Sequence, residues 1–191
     1  MKNRLAVWLV RLFGLVVTLS LQPALAQDNT AREPAPLNTP VRSMIELGSV
    51  YTNIYDITIT VTETLRGSAA MERLKAANPG AQLPAEGLEY VLAHIKFDLK
   101  GRSVSDNLSF GLGEEPLQWI ALSGSDLTEY DGVSVTVPKP ALVGRVKPGS
   151  SIEGWVAFAV RQTDLKPVMV FDPDAGGATG RGKTVFFKLY R

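Results

Sequence analysis

Ile57-Thr58-Ile59-Thr60-Val61-Thr62 alternates β-branched apolar with β-branched polar residues without a break. A strand with one face in a core and the other in water demands that pattern, because successive side chains point to opposite sides of a sheet. The same period of two recurs downstream. Val91, Ala93, Ile95, Phe97 and Leu99 fall on one side of a run whose other side carries His94, Lys96 and Asp98. Ile152 to Val160 places Val156, Phe158 and Val160 opposite Trp155, Ala157 and Ala159. Apolar residues on both sides suggest a strand near the middle of the fold.

Val168–Phe171 and Val185–Leu189 are two further strands, and shorter candidates lie at Leu47–Tyr51, Leu117–Leu122, Ser134–Val137 and Leu142–Val146. Turn-forming runs separate them at Gly113-Glu114-Glu115-Pro116, Asp131-Gly132, Lys147-Pro148-Gly149-Ser150 and Asp172-Pro173-Asp174. Short strands spaced in this way, without alternating helices, predict an all-β antiparallel sandwich. Gly154 in mid-strand predicts a bulge or a close backbone approach.

One segment departs from the pattern. Ser68–Ala77 (SAAMERLKAA) consists of strong helix formers and is halted by Asn78-Pro79-Gly80. It reads as one short inserted helix on the rim of the sandwich, with Ser68 as its cap and Ala70, Leu74 and Ala77 sharing a face.

The chain of 191 residues opens with a segment of different character. Lys2 and Arg4 precede the apolar run Leu12–Leu21, and Ala24-Leu25-Ala26 puts small residues where a signal peptidase cuts. Residues 1–26 are read as a cleavable signal peptide. An uncleaved anchor would be short and would carry Arg11 within its span. The absence of an Arg-Arg pair favours the general secretory route. Residues 27–43 (QDNTAREPAPLNTPVRS) hold almost no large apolar side chain and read as a flexible linker, leaving residues 44–191 as one domain. The protein is expected in the periplasm or the medium.

A 45% hydrophobic and 20% charged composition is that of a folded globular chain. Three of the 20 basic residues lie in the leader and none of the 19 acids does, so the exported remainder is weakly acidic. Its mixed-sign surface offers no footprint for nucleic acid, and membrane contact is expected only through the uncleaved leader. The chain contains no cysteine. Disulfides, thiolate metal sites, a cysteine nucleophile and a lipidated anchor are thereby excluded.

Gly177-Ala178-Thr179-Gly180-Arg181-Gly182-Lys183-Thr184 matches the phosphate-binding loop pattern G-x-x-x-x-G-K-[ST] letter for letter. That loop works only where it opens a helix whose N-terminus faces the phosphates, with an acid downstream for magnesium. Here the strand-like Val185-Phe186-Phe187 comes next and the sequence has no room for either. The stretch is read as a flexible hairpin, and no nucleotide is expected.

His94 is the only histidine, with Leu92 and Lys96 as its same-face neighbours, and reads as a solvent-facing strand residue rather than a base or ligand. Asp172 and Asp174, with Asp126, Glu129 and Asp131 elsewhere, could supply oxygen to calcium, but the run D-P-D-A-G-G lacks the acids of a calcium loop and reads as a turn. No G-x-S-x-G elbow occurs, and Ser123-Gly124-Ser125-Asp126 has the composition of an ordinary loop. Trp119 and Trp155 are assigned to core packing. No catalytic, cofactor-binding or metal-binding residue is assigned, no cofactor is expected, and the chain is not expected to be an enzyme.

Leu65-Arg66-Gly67, Ala70, Ala77-Asn78-Pro79, Pro84 and Gly87-Leu88-Glu89-Tyr90-Val91-Leu92 resemble the start of secreted bacterial telokin-like domains of unknown function. Lys147–Phe158 and Pro167-Val168-Met169-Val170-Phe171 resemble a late turn and strands of that family. The resemblance spans roughly Leu47 to Tyr190 and implies an immunoglobulin-like β-sandwich, export and an interaction role. The function expected from all this is an exported, non-enzymatic binding or interaction domain whose partner is a protein or another envelope component. Gly176–Gly182 is its most mobile candidate contact loop. The alternatives are an exported hydrolase, a calcium-dependent protein, or a structural accessory of an envelope complex.

Overall fold

The computed structural model describes residues 29–48, 53–102, 108–113, 118–174 and 180–191. The signal peptide, the turn at 114–116 and the loop residues 175–179 lie outside the described residues, as do residues 49–51 of the short candidate strand that starts at Leu47.

The alternating run Ile57–Thr62 sits in a long strand, β2 (Asn53–Arg66), flanked by β1 (Val41–Leu47) and β3 (Leu88–Gly101). Outside these lie β7 (Ser150–Arg161) on one edge and the short β9 (Gly180–Gly182) on the other, so the first sheet runs β7-β3-β2-β1-β9. A second sheet runs β10-β8-β5, built from Val185–Lys188, Val168–Phe171 and Trp119–Leu122. A third ladder joins β4 (Phe110–Leu112) to β6 (Gly144–Val146). Every ladder between these strands is antiparallel.

The layers meet over one core. Ile57, Ile59 and Val61 of β2 and Val91, Ala93, Ile95, Phe97 and Leu99 of β3 are buried together with Trp119, Ala121, Met169, Phe171 and Phe187 of the second sheet. Four aromatic rings join all three ladders. Phe97 lies 5.8 Å from Phe110 and 5.7 Å from Phe171, and Trp119 lies 4.7 Å from Phe171, centroid to centroid. Offset and edge contacts of this kind add about 0.5–1.5 kcal/mol each to the burial of the rings. The architecture is mostly antiparallel β-sheet and is consistent with an all-β sandwich. Trp119 and Trp155 are both buried, as expected.

The other face of the first sheet changes character along its length. Thr62 is an extra residue in β2: Val61 opposes Ile95 and Glu63 opposes His94. Such a bulge reverses the in–out parity of the residues beyond it. Leu65 would share a side with Ile57, Ile59 and Val61 under unbroken alternation. It instead joins Leu92, Tyr90, Trp155 and Ala159 in a second, smaller core on the outer face.

This second core is what α1 (Ser68–Ala77) covers, so the helix lies on the sheet face and not on the rim expected for it. Ala70 and Leu74 are buried there, while Ala77 is exposed. The cap position is Gly67, not Ser68, and makes no side-chain cap bond. Gly67 has φ 59°, and a Cβ there would meet Glu89 Oε2 at 2.8 Å, so this entry to the helix suits glycine.

Three further expectations are corrected. β7 is apolar on both sides yet stands at the edge of its sheet; the outer core, roofed by α1 and by Val133, Val135 and Val137, makes an edge strand two-faced. Ser134–Val137 forms no strand ladder, although its side chains alternate between half-buried and exposed. Residues 29–43 are not a free linker where described. Asn29 donates from Nδ2 to the Phe186 carbonyl at 2.7 Å and accepts the Phe186 N–H at 2.6 Å. Ala35 bridges Phe187, and Val41 opens β1 opposite Ile59. One amide side chain that mimics a strand partner, with a buried alanine, suffices to dock a segment poor in large apolar residues.

Candidate functional site

Beyond the bulge toward β1, no described residue forms a layer over the outer face. Arg42, Met44 and Glu46 of β1 lie beside Thr58, Asp56 and Ile54 of β2 in register. Arg181 of β9 stands opposite Glu46. These strands and the adjacent Lys183 enclose a groove of about 550 Å³, and an adjoining hollow shares Arg42, Ser43 and Asp56 with it.

The groove combines exposed apolar surface with cations. Met44 and Ile54 are 53% and 42% exposed. Asp56 is held by Arg102, whose Nη2 lies 2.6 Å from Oδ1 and whose Nε lies 3.2 Å from Oδ2. That hydrogen-bonded pairing lowers the Asp56 carboxyl below its ordinary range. Arg42, Arg181 and Lys183 form no ion pair among the described residues. Three cations without an ion pair among the described residues, with Glu46 opposite Arg181, therefore border two exposed apolar side chains.

The phosphate-loop letters turn out to build one wall of this groove. No helix begins after Thr184; Val185–Lys188 is β10. A Cβ on Gly182 would lie 2.5 Å from the Met44 carbonyl oxygen, and one on Gly180 would lie 2.7 Å from Phe110 Cε2. The glycines let β9 seat against β1 and the core. Arg181 and Lys183 between and beside them line the groove. The tip at 175–179 lies outside the described residues, whereas Gly180–Gly182 of the expected contact loop is strand.

His94 is half-buried rather than solvent-facing. Its Nδ1 lies 2.9 Å from Thr62 Oγ1 and its ring meets Trp155 edge-on at 4.9 Å. Arg73 of α1 also packs on the indole, 5.6 Å from the Trp155 centroid. The helix that covers the outer core explains this burial, and the alternation of the strand alone could not show it. Asp172 accepts the Asp174 N–H at 3.0 Å, closing the turn between them. Among the described residues no three His, Asp or Glu side chains gather as a metal would require.

Ser123-Gly124-Ser125-Asp126 is more ordered than its composition suggests. Ser123 is fully buried, its Oγ 3.0 Å from Ser125 Oγ and accepting from Arg161 Nη2 at 2.9 Å. Tyr130 donates its hydroxyl to Asp164 Oδ2 at 2.8 Å, and the Gly124 N–H reaches the same oxygen at 3.1 Å. A Cβ on Gly124 would fall 2.1 Å from the Lys166 carbonyl oxygen, which is why this crossing holds glycine. Arg66 joins the knot through Glu89 at 2.6 Å and through the Arg161 carbonyl at 3.3 Å. The Asp126 carboxyl is lowered to about 2 by hydrogen bonding, from Ser123 first and then from the Thr128 hydroxyl and N–H. Burial chiefly raises the Tyr130 phenol.

Chemically this knot is saturated. The Ser123 hydroxyl is shared among the Arg161 guanidinium, the Ser125 hydroxyl and the Asp126 carboxylate, and that same bonding lowers the basicity of the carboxylate, so it is a weak acceptor for the Ser123 proton. The knot ties two loops together. The groove, by contrast, leaves donors and apolar surface open, which suits binding of an anionic chain. Among the described residues no helix is long and apolar enough to cross a membrane. Comparison with family models, curated proteins and solved structures finds no match to this chain.

Proposed function

We propose that the protein is an exported, non-enzymatic binding module of immunoglobulin-like, telokin-like kind, and that the groove between β1, β2 and β9 is its contact surface. The leader composition of residues 1–26 supports export. Two antiparallel sheets over one aromatic core support the immunoglobulin-like reading. The observation that carries the binding role is the set Arg42, Arg181 and Lys183, without an ion pair among the described residues, around exposed Met44 and Ile54. A partner that fits presents carboxylates beside an apolar side chain, as an acidic extended segment of an envelope protein does.

The test is capture from envelope extract by immobilised protein, compared with Arg42→Glu/Lys183→Glu. Capture that weakens with added salt and is lost in the double variant supports the reading. Equal capture by the variant, with its melting unchanged, rejects the groove. Turnover of substrate by the purified protein would reject the non-enzymatic role.

A further inference from the structure

Gly132–Val137 has the composition of a strand and is packed as one. Val133, Val135 and Val137 are half-buried against the outer core, while Ser134 and Thr136 are exposed. Yet from Asp131 to Lys139 no backbone N–H or C=O bonds to any described residue. The nearest strand cannot supply the missing ladder: β7 is paired with β3 along its length and meets Pro140 and Leu142 at Trp155 on its free side. A segment anchored by alternate side chains, with no backbone bond among the described residues, is open to pairing with another strand.

We infer that this segment pairs antiparallel with the same segment of a second copy, about a two-fold axis through Val135. The charges specify this occupant. Asp131 and Lys139 are equidistant from Val135, so the register that sets Val135 against Val135 also sets Asp131 against Lys139 of the second copy, twice. Val133 then opposes Val137, and the half-buried valines of both copies lie on one continuous face. With Val133, Val135 and Val137 as the hydrogen-bonded residues, Pro138 directs its missing N–H to the opposite edge, where the pairing does not need it. The interface is isologous and closes on itself, so it ends at a dimer. A strand pair this short buries less surface than a stable dimer requires, so the association is weak and concentration-dependent.

Sedimentation of the processed, secreted protein across micromolar to millimolar concentration tests this. The expected result is a reversible dimer. Asp131→Lys and Lys139→Asp, each melting as the native protein does, each weaken it about five- to tenfold. Mixing the two single variants restores association, because every facing pair is again of opposite charge. A monomer at every concentration, a dimer unmoved by either reversal, or a mixture that fails to recover overturns the inference. Neither residue lines the groove, so this result is independent of partner capture.

Discussion

Thr62 Oγ1 lies 2.9 Å from His94 Nδ1 and 3.1 Å from the His94 carbonyl oxygen, so the hydroxyl of the extra residue meets both the ring and the main chain of the residue across the bulge. With the hydroxyl donating to the carbonyl, Nδ1–H donates to the hydroxyl oxygen and both contacts are met. This pair marks the line where the outer face turns from water to the second core. Thr62→Val keeps the shape and the β-branch but leaves a half-buried ring nitrogen without its partner. The expected loss is about 1–2 kcal/mol in urea unfolding, with the fold retained. An unchanged midpoint would show that the bulge stands without this bond.

Gly154 tests the strap at Pro140–Leu142. A Cβ there would lie 2.5 Å from the Ala141 carbonyl carbon and the Leu142 nitrogen, both main-chain atoms that cannot rotate aside. Gly154→Ala is expected to cost about 3 kcal/mol, as overpacking against backbone does. Gly87 is the control: with φ 78° and nothing within 4 Å of its Cβ position, its alanine variant should lose only about 1–2 kcal/mol from the left-handed backbone. Equal losses in thermal melts would refute this ordering.

Asp126 predicts an acid slope. Its folded carboxyl sits at about 2 against an ordinary 3.8, so the ionised form is favoured in the folded state. The resulting stability is complete above about pH 4 and disappears as pH falls toward 2. Asp126→Asn should therefore narrow its melting difference from the native protein on going from pH 6 to pH 2. A difference that stays constant across that interval would count against the hydrogen bonds named.

Asn29 tests whether the first described segment is part of the fold. Asn29→Ala removes both bonds to Phe186 and should lower stability by about 1–2 kcal/mol, read by denaturant titration. A free linker would show no change at all.

The long strands were legible because their burial is periodic: β2, β3 and β7 enclose the alternating runs, and Val168–Phe171 matches its reading residue for residue. Helix formers bounded by Asn78-Pro79-Gly80 likewise placed α1 at Ser68–Ala77. What could not be read was set by partners distant in sequence. Leu65 changes side because of one inserted residue, and composition carries no mark of that. β9 holds two glycines and an arginine, which no propensity assigns to a strand; its glycines answer to distant partners, Gly182 to Met44 and Ile45 and Gly180 to Phe110 and Leu47. Ser134–Val137 has strand composition but no ladder partner among the described residues. The groove was illegible for the same reason, since Arg42 and Lys183 lie far apart along the chain and meet only through the β1–β9 pairing.

The docking of Ala35 beside Phe187 has a mechanical consequence. The two segments run parallel, with the Ala35 N–H bonded to the Phe186 carbonyl at 2.9 Å and the Lys188 N–H to the Ala35 carbonyl at 2.8 Å. A tug applied at opposite ends of the polypeptide draws these neighbours past each other along their length. All the bonds between them are then strained at once instead of opening in succession. The domain is thus clamped where a force between its termini enters.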